Sequence, residues 1–220
     1  MLKVYHILPD NDQMGGSRNA AKVTIALREL GETFETVDLN REKDLRPQDS
    51  SYRKHINPNG VTPAIEEDGF LLWESTAILR YLGDTRGSLI GKDAKSKAIV
   101  QQWLSWEASS FQATFLEYYF AVLGNYSSEI KSNSLQKYFE KLSILDKTLE
   151  KKAGYVTGEY SMADIALGMV VPIGFYLEID LKNHKNVMSW LNSLSGRAAW
   201  QAEPAFMNDI AVGRQKNYLV

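Results

Sequence analysis

Residues 57–82, NPNGVTPAIEEDGFLLWESTAILRYL, contain the signals that decide the fold. Residues 62–66 predict a strand, and Asp68-Gly69 is a strong signal for a tight hairpin turn. Residues 70–72 then predict the returning strand. Ser75 opens a helix in which apolar side chains recur at helical spacing. A hairpin followed directly by a helix therefore forms one part of a small sheet covered by a helix.

The residues before this stretch predict the rest of the sheet. Residues 2–8 are mostly apolar and favour a buried strand, and residues 34–39 favour a second strand. Between them, residues 9–16 predict a polar loop, after which Ser17 can cap a helix. Gly31 stands where a left-handed cap would end that helix. The chain thus begins with a strand-helix-strand unit.

Residues 41–55 are polar and predict an irregular or short helical connection to the hairpin. The order strand, helix, strand, connection, strand, strand, helix is that of a small mixed sheet with helices on its faces. Gly83 is expected to end the last helix. Residues 84–91, DTRGSLIG, are rich in turn formers and are expected to link two domains, residues 1–83 and residues 92–220.

The second domain is predicted to be a helix bundle, because strand signals fade after residue 92. Its predicted helices contain apolar stripes at residues 99–106, 135–149, 161–169 and 187–194. Ser161-x-x-Asp164 before an apolar run is a capping box, which is a structural feature. Seven aromatic side chains crowd one helix, where most are expected in the core or a subunit interface and one or two could line an apolar pocket: Trp103, Trp106, Phe111, Phe115, Tyr118, Tyr119 and Phe120.

Composition excludes several classes of function. The chain has 220 residues and a formal net charge of −2, so nothing favours nucleic acid or an anionic membrane as a partner. It has no cysteine, which rules out disulfides and a protein thiol nucleophile. His6, His55 and His184 are far apart and predict no metal site. Without a signal peptide or a membrane-spanning stretch, the predicted location is the cytoplasm.

Three local features could carry chemistry. The Ser17 hydroxyl and the positive end of its helix could stabilise a bound thiolate, or Ser17 could only cap the helix. If the Thr62–Pro63 bond is cis, the Thr62 backbone could pair with an extended peptide; the alternative is a plain turn. Glu74 and Ser75 could hold the ammonium and carboxylate groups of an amino acid, or form an ordinary helix cap.

These features occur together, and in the same order, in the soluble glutathione transferases, which the chain resembles over nearly its whole length. The resemblance implies a fold of α/β plus all-α type, with an N-terminal thioredoxin-like domain and a C-terminal helix bundle. It also implies a cytoplasmic homodimer that acts in detoxification with glutathione as co-substrate and no metal. The matching segments are SRNAAKVTIALRELG (17–31), NPNGVTPAI (57–65), LWESTAILRYL (72–82), YSMADIAL (160–167) and SGRAAWQ (195–201).

The resemblance carries over roles to single residues. Ser17 matches the catalytic serine or threonine of the serine-type classes, and Asn19 matches an asparagine near the thiol in bacterial nu-like members. Thr62, beside the cis proline Pro63, matches the residue whose backbone pairs with the cysteinyl part of glutathione. The pair that binds the γ-glutamyl amine and carboxylate is matched by Glu74-Ser75.

Other positions match less closely. His55, with Arg53 and Lys54, lies where some members place a side chain on the glycyl carboxylate. Arg18 stands where proline is common, and Val61 replaces a frequent lysine. Tyr5 is the second choice for thiol activation, because it falls near the catalytic tyrosine of other classes if the loop at 9–16 is an insertion; otherwise it is a buried strand aromatic.

The function that the resemblance implies is activation of the glutathione thiol for attack on a small apolar electrophile, in a cleft formed partly by the second domain. One alternative is a glutathione-dependent disulfide reductase or peroxidase of nu-like type, which the Ser17-x-Asn19 pair supports. Another is a non-enzymatic binding module on the same fold, because fold does not fix function. Nucleic acid and membrane are not expected as partners under any of the three.

Overall fold

The computed structural model describes residues 1–8, 16–152 and 154–219. The chain divides into two compact units, Met1–Ser88 with Ala198–Asn208 and Leu89–Arg197 with Asp209–Val220. The division at residue 88 falls inside the stretch expected as a linker. The predicted loop at residues 9–16 lies outside the described residues except for Gly16.

The first unit contains a four-stranded mixed sheet in the order β2-β1-β3-β4. Strand β1 runs parallel to β2 and antiparallel to β3, and β3 runs antiparallel to β4. The predicted strand-helix-strand unit followed by a hairpin and a helix is therefore confirmed. The elements are β1 (Leu2–His6), α1 (Arg18–Glu29), β2 (Phe34–Asp38), α2 (Ser51–His55), β3 (Ala64–Glu67), β4 (Phe70–Trp73) and α3 (Ser75–Arg86).

The end of α3 differs from the prediction. The helix does not stop near Gly83 but continues to Arg86, and Gly87 ends it with a left-handed φ of 64°. Gly83 is buried within the helix. A glycine inside a helix costs only about 1 kcal/mol relative to alanine, so buried packing of the surrounding turn outweighs it. At the end of α1, by contrast, the predicted Gly31 does take a left-handed φ, 71°.

The segment Ala198–Asn208 belongs to the first unit, although it lies far along the chain. A buried carboxylate accounts for this placement. Glu203 accepts a hydrogen bond of 2.6 Å from the Thr24 hydroxyl and one of 2.9 Å from the Arg28 guanidinium, both on α1. Its side chain is almost fully buried, so these two donors are needed to offset the loss of hydration.

The second unit is built of helices, as predicted. A π-helical turn, Glu107–Phe111, joins α4 to α5. Phe111 and Phe115 are buried, as expected of core aromatics, whereas Phe120 is exposed. The helices after the first unit's α3 are α4 (Ala94–Trp106), α5 (Gln112–Leu123), α6 (Ser128–Lys151), α7 (Met162–Gly168), α8 (Lys185–Ser195), α9 (Ala198–Gln201) and α10 (Pro204–Gln215). Across the described ranges, no helix is long and apolar enough to cross a membrane.

The predicted capping box at Ser161 and Asp164 is present at the start of α7. Asp164 Oδ2 accepts hydrogen bonds from the Ser161 amide and hydroxyl at 3.0 and 3.1 Å. Its Oδ1 accepts from the Val156 amide at 3.1 Å and from Trp190 Nε1 at 3.0 Å. Burial raises the pKa of Asp164 to about 6, although all four donors favour the carboxylate. The box therefore also joins α7 to α8.

Candidate functional site

The register of the sheet places the candidate site residues at one end of the sheet, where strands begin and end. Ala64, the first residue of β3, pairs with Tyr5 near the end of β1 and with Trp73 at the end of β4. The end of β1, the start of β3 and the end of β4 therefore lie at the same end of the sheet. Thr62 lies just before β3 and Glu74 just after β4, so both residues lie at this end of the sheet.

A backbone hydrogen bond holds Ser17 at the same end of the sheet. Its amide donates a 3.0 Å hydrogen bond to the carbonyl of Ile7, the residue after β1. Its Oγ accepts from the Ala20 amide at 3.3 Å, so the capping alternative is realised at α1. A hydroxyl that accepts one bond still has a proton to donate. Capping and stabilisation of an anion at this helix start are thus compatible.

Asn19 lies in the first turn of α1, two residues after Ser17. The residue is partly buried, and its Oδ1 atom is buried without a hydrogen-bond partner in the described part of the chain. Arg18, which stands where proline is common in the family, donates to the Gly16 carbonyl at 3.2 Å. The helix start is therefore held from both sides, while the Asn19 amide group keeps hydrogen-bonding capacity.

The Thr62–Pro63 peptide is cis, as the sequence suggests for an extended-peptide site. Pro63 is buried and Thr62 is half-buried. Neither the amide nor the carbonyl of Thr62 forms a hydrogen bond with any residue in the described ranges. A residue just before a strand, whose backbone donor and acceptor both lack partners, can pair with an extended peptide.

Glu74 has an unusual backbone conformation for a residue other than glycine. Glu74 immediately precedes α3, and its backbone has a φ of 74° and a ψ of 112°. Such conformations cost about 1–3 kcal/mol and concentrate at functional sites. The Glu74 side chain is exposed and makes no capping hydrogen bond, and Ser75 beside it is buried. The helix-cap alternative therefore does not account for the carboxylate of Glu74.

Tyr5 is engaged inside the sheet. Its hydroxyl donates a 2.9 Å hydrogen bond to Glu66 Oε2 on the neighbouring strand β3. Burial, reinforced by the hydrogen bond and charge of Glu66, raises the pKa of Tyr5 to about 12. A phenol held by a carboxylate in this way is poorly suited to stabilise a thiolate. The alternative prediction of a strand aromatic fits these contacts.

The three basic residues proposed for the glycyl carboxylate differ in their surroundings. Arg53 is used within the fold, since its Nε donates to the Leu45 carbonyl at 2.6 Å and its Nη1 to the Pro58 carbonyl at 3.0 Å. Lys54 and His55 at the end of α2 are exposed. His55 forms no hydrogen bond with any described residue, and its role at the glycyl carboxylate stays a prediction.

Two residues near the site had no predicted role. Tyr52 of α2 donates from its hydroxyl to the Val61 carbonyl at 2.8 Å, and Asn57 donates from Nδ2 to the same oxygen at 2.8 Å. Both lie just upstream of Thr62. Tyr52 belongs to the polar segment read as a connection, where a single aromatic gives no periodic signal. In the described residues, no group of three or more His, Asp or Glu side chains could hold a metal ion.

Comparisons with known proteins agree with this architecture. Residues 16–85 match the glutathione S-transferase N-terminal domain, and residues 111–198 match the glutathione S-transferase C-terminal domain. Glutathione S-transferase F10 of Arabidopsis thaliana is 31% identical over 199 residues, which are 83% of this chain and 90% of the relative. The chain belongs to the glutathione S-transferase family.

Solved structures show the same fold. A glutathione transferase from Burkholderia graminis, with two glutathione molecules bound per subunit, has 28% identity and a TM-score of 0.75, covering 90% of this chain and 85% of that one. The theta class enzyme from Xanthomonas axonopodis pv. citri, with glutathione bound, has 24% identity and a TM-score of 0.77, covering 92% and 96%. At that lower identity the likeness concerns the fold alone.

Proposed function

We propose that the protein binds glutathione at this end of the sheet, beside Ser17, Thr62 and Glu74, and activates its thiol for attack on a hydrophobic electrophile. The observation that carries this proposal is that a capped helix start, an unpaired backbone segment and a free carboxylate lie at the same end of the sheet. These groups are supplied by Ser17, Thr62 and Glu74. Glutathione bound to the Burkholderia graminis relative supports the same ligand.

Each group has a separate task in this proposal. Glu74 binds the γ-glutamyl ammonium group, and Ser75 at the start of α3 binds the neighbouring carboxylate. The Thr62 backbone pairs with the cysteinyl residue as an added strand. Ser17, with Asn19 beside it, donates to the sulfur and favours the thiolate over the thiol. The thiol proton leaves to solvent, and the thiolate forms the new bond to the electrophilic carbon. That carbon either releases its leaving group as an anion or, in an addition across a double bond, passes the electron pair to the neighbouring atom, which takes a proton from water.

Disulfide reduction and non-enzymatic binding remain the alternatives to conjugation, and each makes a different demand. Reduction needs a disulfide as the attacked group: the glutathione thiolate displaces one thiolate from it, and a second glutathione then attacks the mixed disulfide to give glutathione disulfide. Simple binding needs no turnover at all. An assay with electrophiles and with disulfides on the wild-type protein separates the three. The cytoplasm belongs to the proposal as the location, because a reduced glutathione pool is found in the cytosol.

A homodimer is also proposed. Strand β4 at the edge of the sheet exposes three large apolar side chains in the isolated chain: Phe70 at 47%, Trp73 at 38% and Leu71 at 37%. Leu71 and Trp73 share one face of β4 and Phe70 lies on the other, beside the Tyr81 ring, so this outer strand offers apolar contacts to a second copy on both faces. Light scattering should therefore give twice the chain mass for the wild type. Phe70→Glu should shift the protein towards a single copy, and a wild-type protein that stays monomeric at high concentration would remove the proposal.

Glu74→Gln should weaken glutathione binding by roughly ten- to a hundredfold, because it removes the charge from the hydrogen bond to the ammonium group. Glu74→Gly should weaken binding at least as much, yet raise the free energy of unfolding by about 1 kcal/mol, since glycine tolerates the positive φ. Calorimetry and denaturant titration measure the two effects.

Asp68→Gly is the matched control for the loss of binding. Asp68 also has a positive φ, 49°, and an exposed carboxylate, but it lies in the hairpin at the other end of β4. This variant should bind glutathione as the wild type does. Normal affinity in both Glu74 variants would show that Glu74 does not hold the ligand.

A further inference from the structure

The Val61 carbonyl accepts two partly buried hydrogen bonds from side chains. One comes from the Tyr52 hydroxyl and the other from the Asn57 amide group, each at 2.8 Å. A carbonyl oxygen has two lone pairs, so both are occupied. Val61 itself is exposed, yet its carbonyl is fixed by residues that lie inside the fold.

This arrangement fixes more than one oxygen atom, because the peptide unit is planar. The Val61 carbonyl and the Thr62 N–H belong to the same peptide unit. In a trans peptide these two groups point in opposite directions. Holding the carbonyl towards Tyr52 and Asn57 therefore directs the Thr62 N–H away from them. That N–H is the backbone donor left unpaired among the described residues.

The two donors are themselves held firmly. Asn57 is completely buried. Its backbone N–H donates to the Tyr52 carbonyl at 3.0 Å, and its side-chain Oδ1 accepts from the Asn59 backbone N–H at 3.0 Å. Tyr52 is buried in a cluster with Ile7 and Ala64. Burial also raises the pKa of Tyr52, so its hydroxyl keeps the proton that it donates.

We infer that Tyr52 and Asn57 are positioning residues for glutathione, which aim the Thr62 N–H at the carbonyl oxygen of the bound cysteinyl residue. This inference rests on the proposed function, because it assigns a purpose to the geometry of the same site. Neither side chain needs to touch the ligand. Each acts through the Val61–Thr62 peptide unit, and losing one donor lets that unit rotate.

The test is a cycle between a variant and a modified ligand. Tyr52→Phe removes one donor and should weaken glutathione binding by about five- to tenfold, the usual worth of one hydrogen bond. The modified ligand is the glutathione analogue in which an ester replaces the cysteinyl-glycine amide. Its cysteinyl carbonyl is a weaker acceptor, so Tyr52→Phe should change its affinity by less than about twofold. Asn57→Ser, which removes the other donor, should give the same pattern.

Tyr138→Phe is the matched control. The Tyr138 hydroxyl lies in the second unit, is fully buried and has no hydrogen-bond partner in the described part of the chain. Its removal should leave both affinities unchanged. If the wild type binds glutathione but Tyr52→Phe and Asn57→Ser weaken the two ligands equally, or not at all, the inference is wrong and the proposed function stands. A wild type that binds no glutathione overturns both.

Discussion

Ser17→Ala should lower the turnover of glutathione conjugation by roughly a hundredfold or more while leaving glutathione affinity nearly unchanged. The hydroxyl donates to a charge that is present on the thiolate and absent from the thiol. Its loss therefore raises the pKa of the bound thiol, and each unit of that rise reduces the thiolate about tenfold below the pKa. The ultraviolet absorbance of the thiolate, followed against pH in the complex, measures this change. Ser17→Thr keeps the hydroxyl and should keep most of the turnover.

The variant also removes a helix cap, so a control must separate stability from chemistry. Ser127 caps α6 in the same way, with its Oγ accepting from the Ile130 amide at 3.4 Å. Ser127→Ala and Ser17→Ala should each lose about 1 kcal/mol of unfolding free energy. Only Ser17→Ala should lose turnover. Equal turnover in Ser17→Ala and the wild type would assign Ser17 to capping alone.

Asp164→Ala should destabilise the protein by roughly 3–5 kcal/mol. The substitution leaves three buried N–H donors without their acceptor: the amides of Val156 and Ser161 and the indole of Trp190. Each such orphaned donor costs about 1–3 kcal/mol, and α7 loses its cap as well. Asp164→Asn should also be destabilising, because its NH₂ group would face a donor. Denaturant titration at pH 8, above the raised pKa of Asp164, measures both variants.

An exposed version of the same motif provides the comparison. Asp93 caps α4 by accepting from the amides of Lys95 and Ser96 at 2.8 and 3.0 Å, on the surface. Asp93→Ala should cost only about 1 kcal/mol, since water can replace the lost acceptor. If Asp164→Ala is no more damaging than Asp93→Ala, the burial of the carboxylate is not what makes the Asp164 box important.

The fold of the first unit could be predicted from local signals. The Asp68-Gly69 turn and the apolar strands around it indicate the hairpin. Ser17 caps α1, and Ser75 is the first residue of α3, as the sequence predicts. The end of α3 could not be predicted in this way. The intrinsic cost of Gly83 is small, and tertiary packing, which local sequence does not reveal, carried the helix further.

Contacts between distant parts of the chain explain what the sequence did not predict. Glu203 joins the segment Ala198–Asn208 to α1 through Thr24 and Arg28, a pairing without any local pattern. The support of Val61 by Tyr52 and Asn57 is local, at separations of nine and four residues, but it too follows no periodic pattern. The family resemblance favours Ser17 over Tyr5 for thiol activation, and the hydrogen bond from Tyr5 to Glu66 is a physical reason for that preference.

The structure of the protein crystallised with reduced glutathione tests the central claim most directly. The expected result places the sulfur within hydrogen-bond reach of Ser17 Oγ, the cysteinyl backbone against Thr62, and the ammonium group on the carboxylate of Glu74. Glutathione bound elsewhere, or bound with its ammonium group turned away from Glu74, would contradict the account.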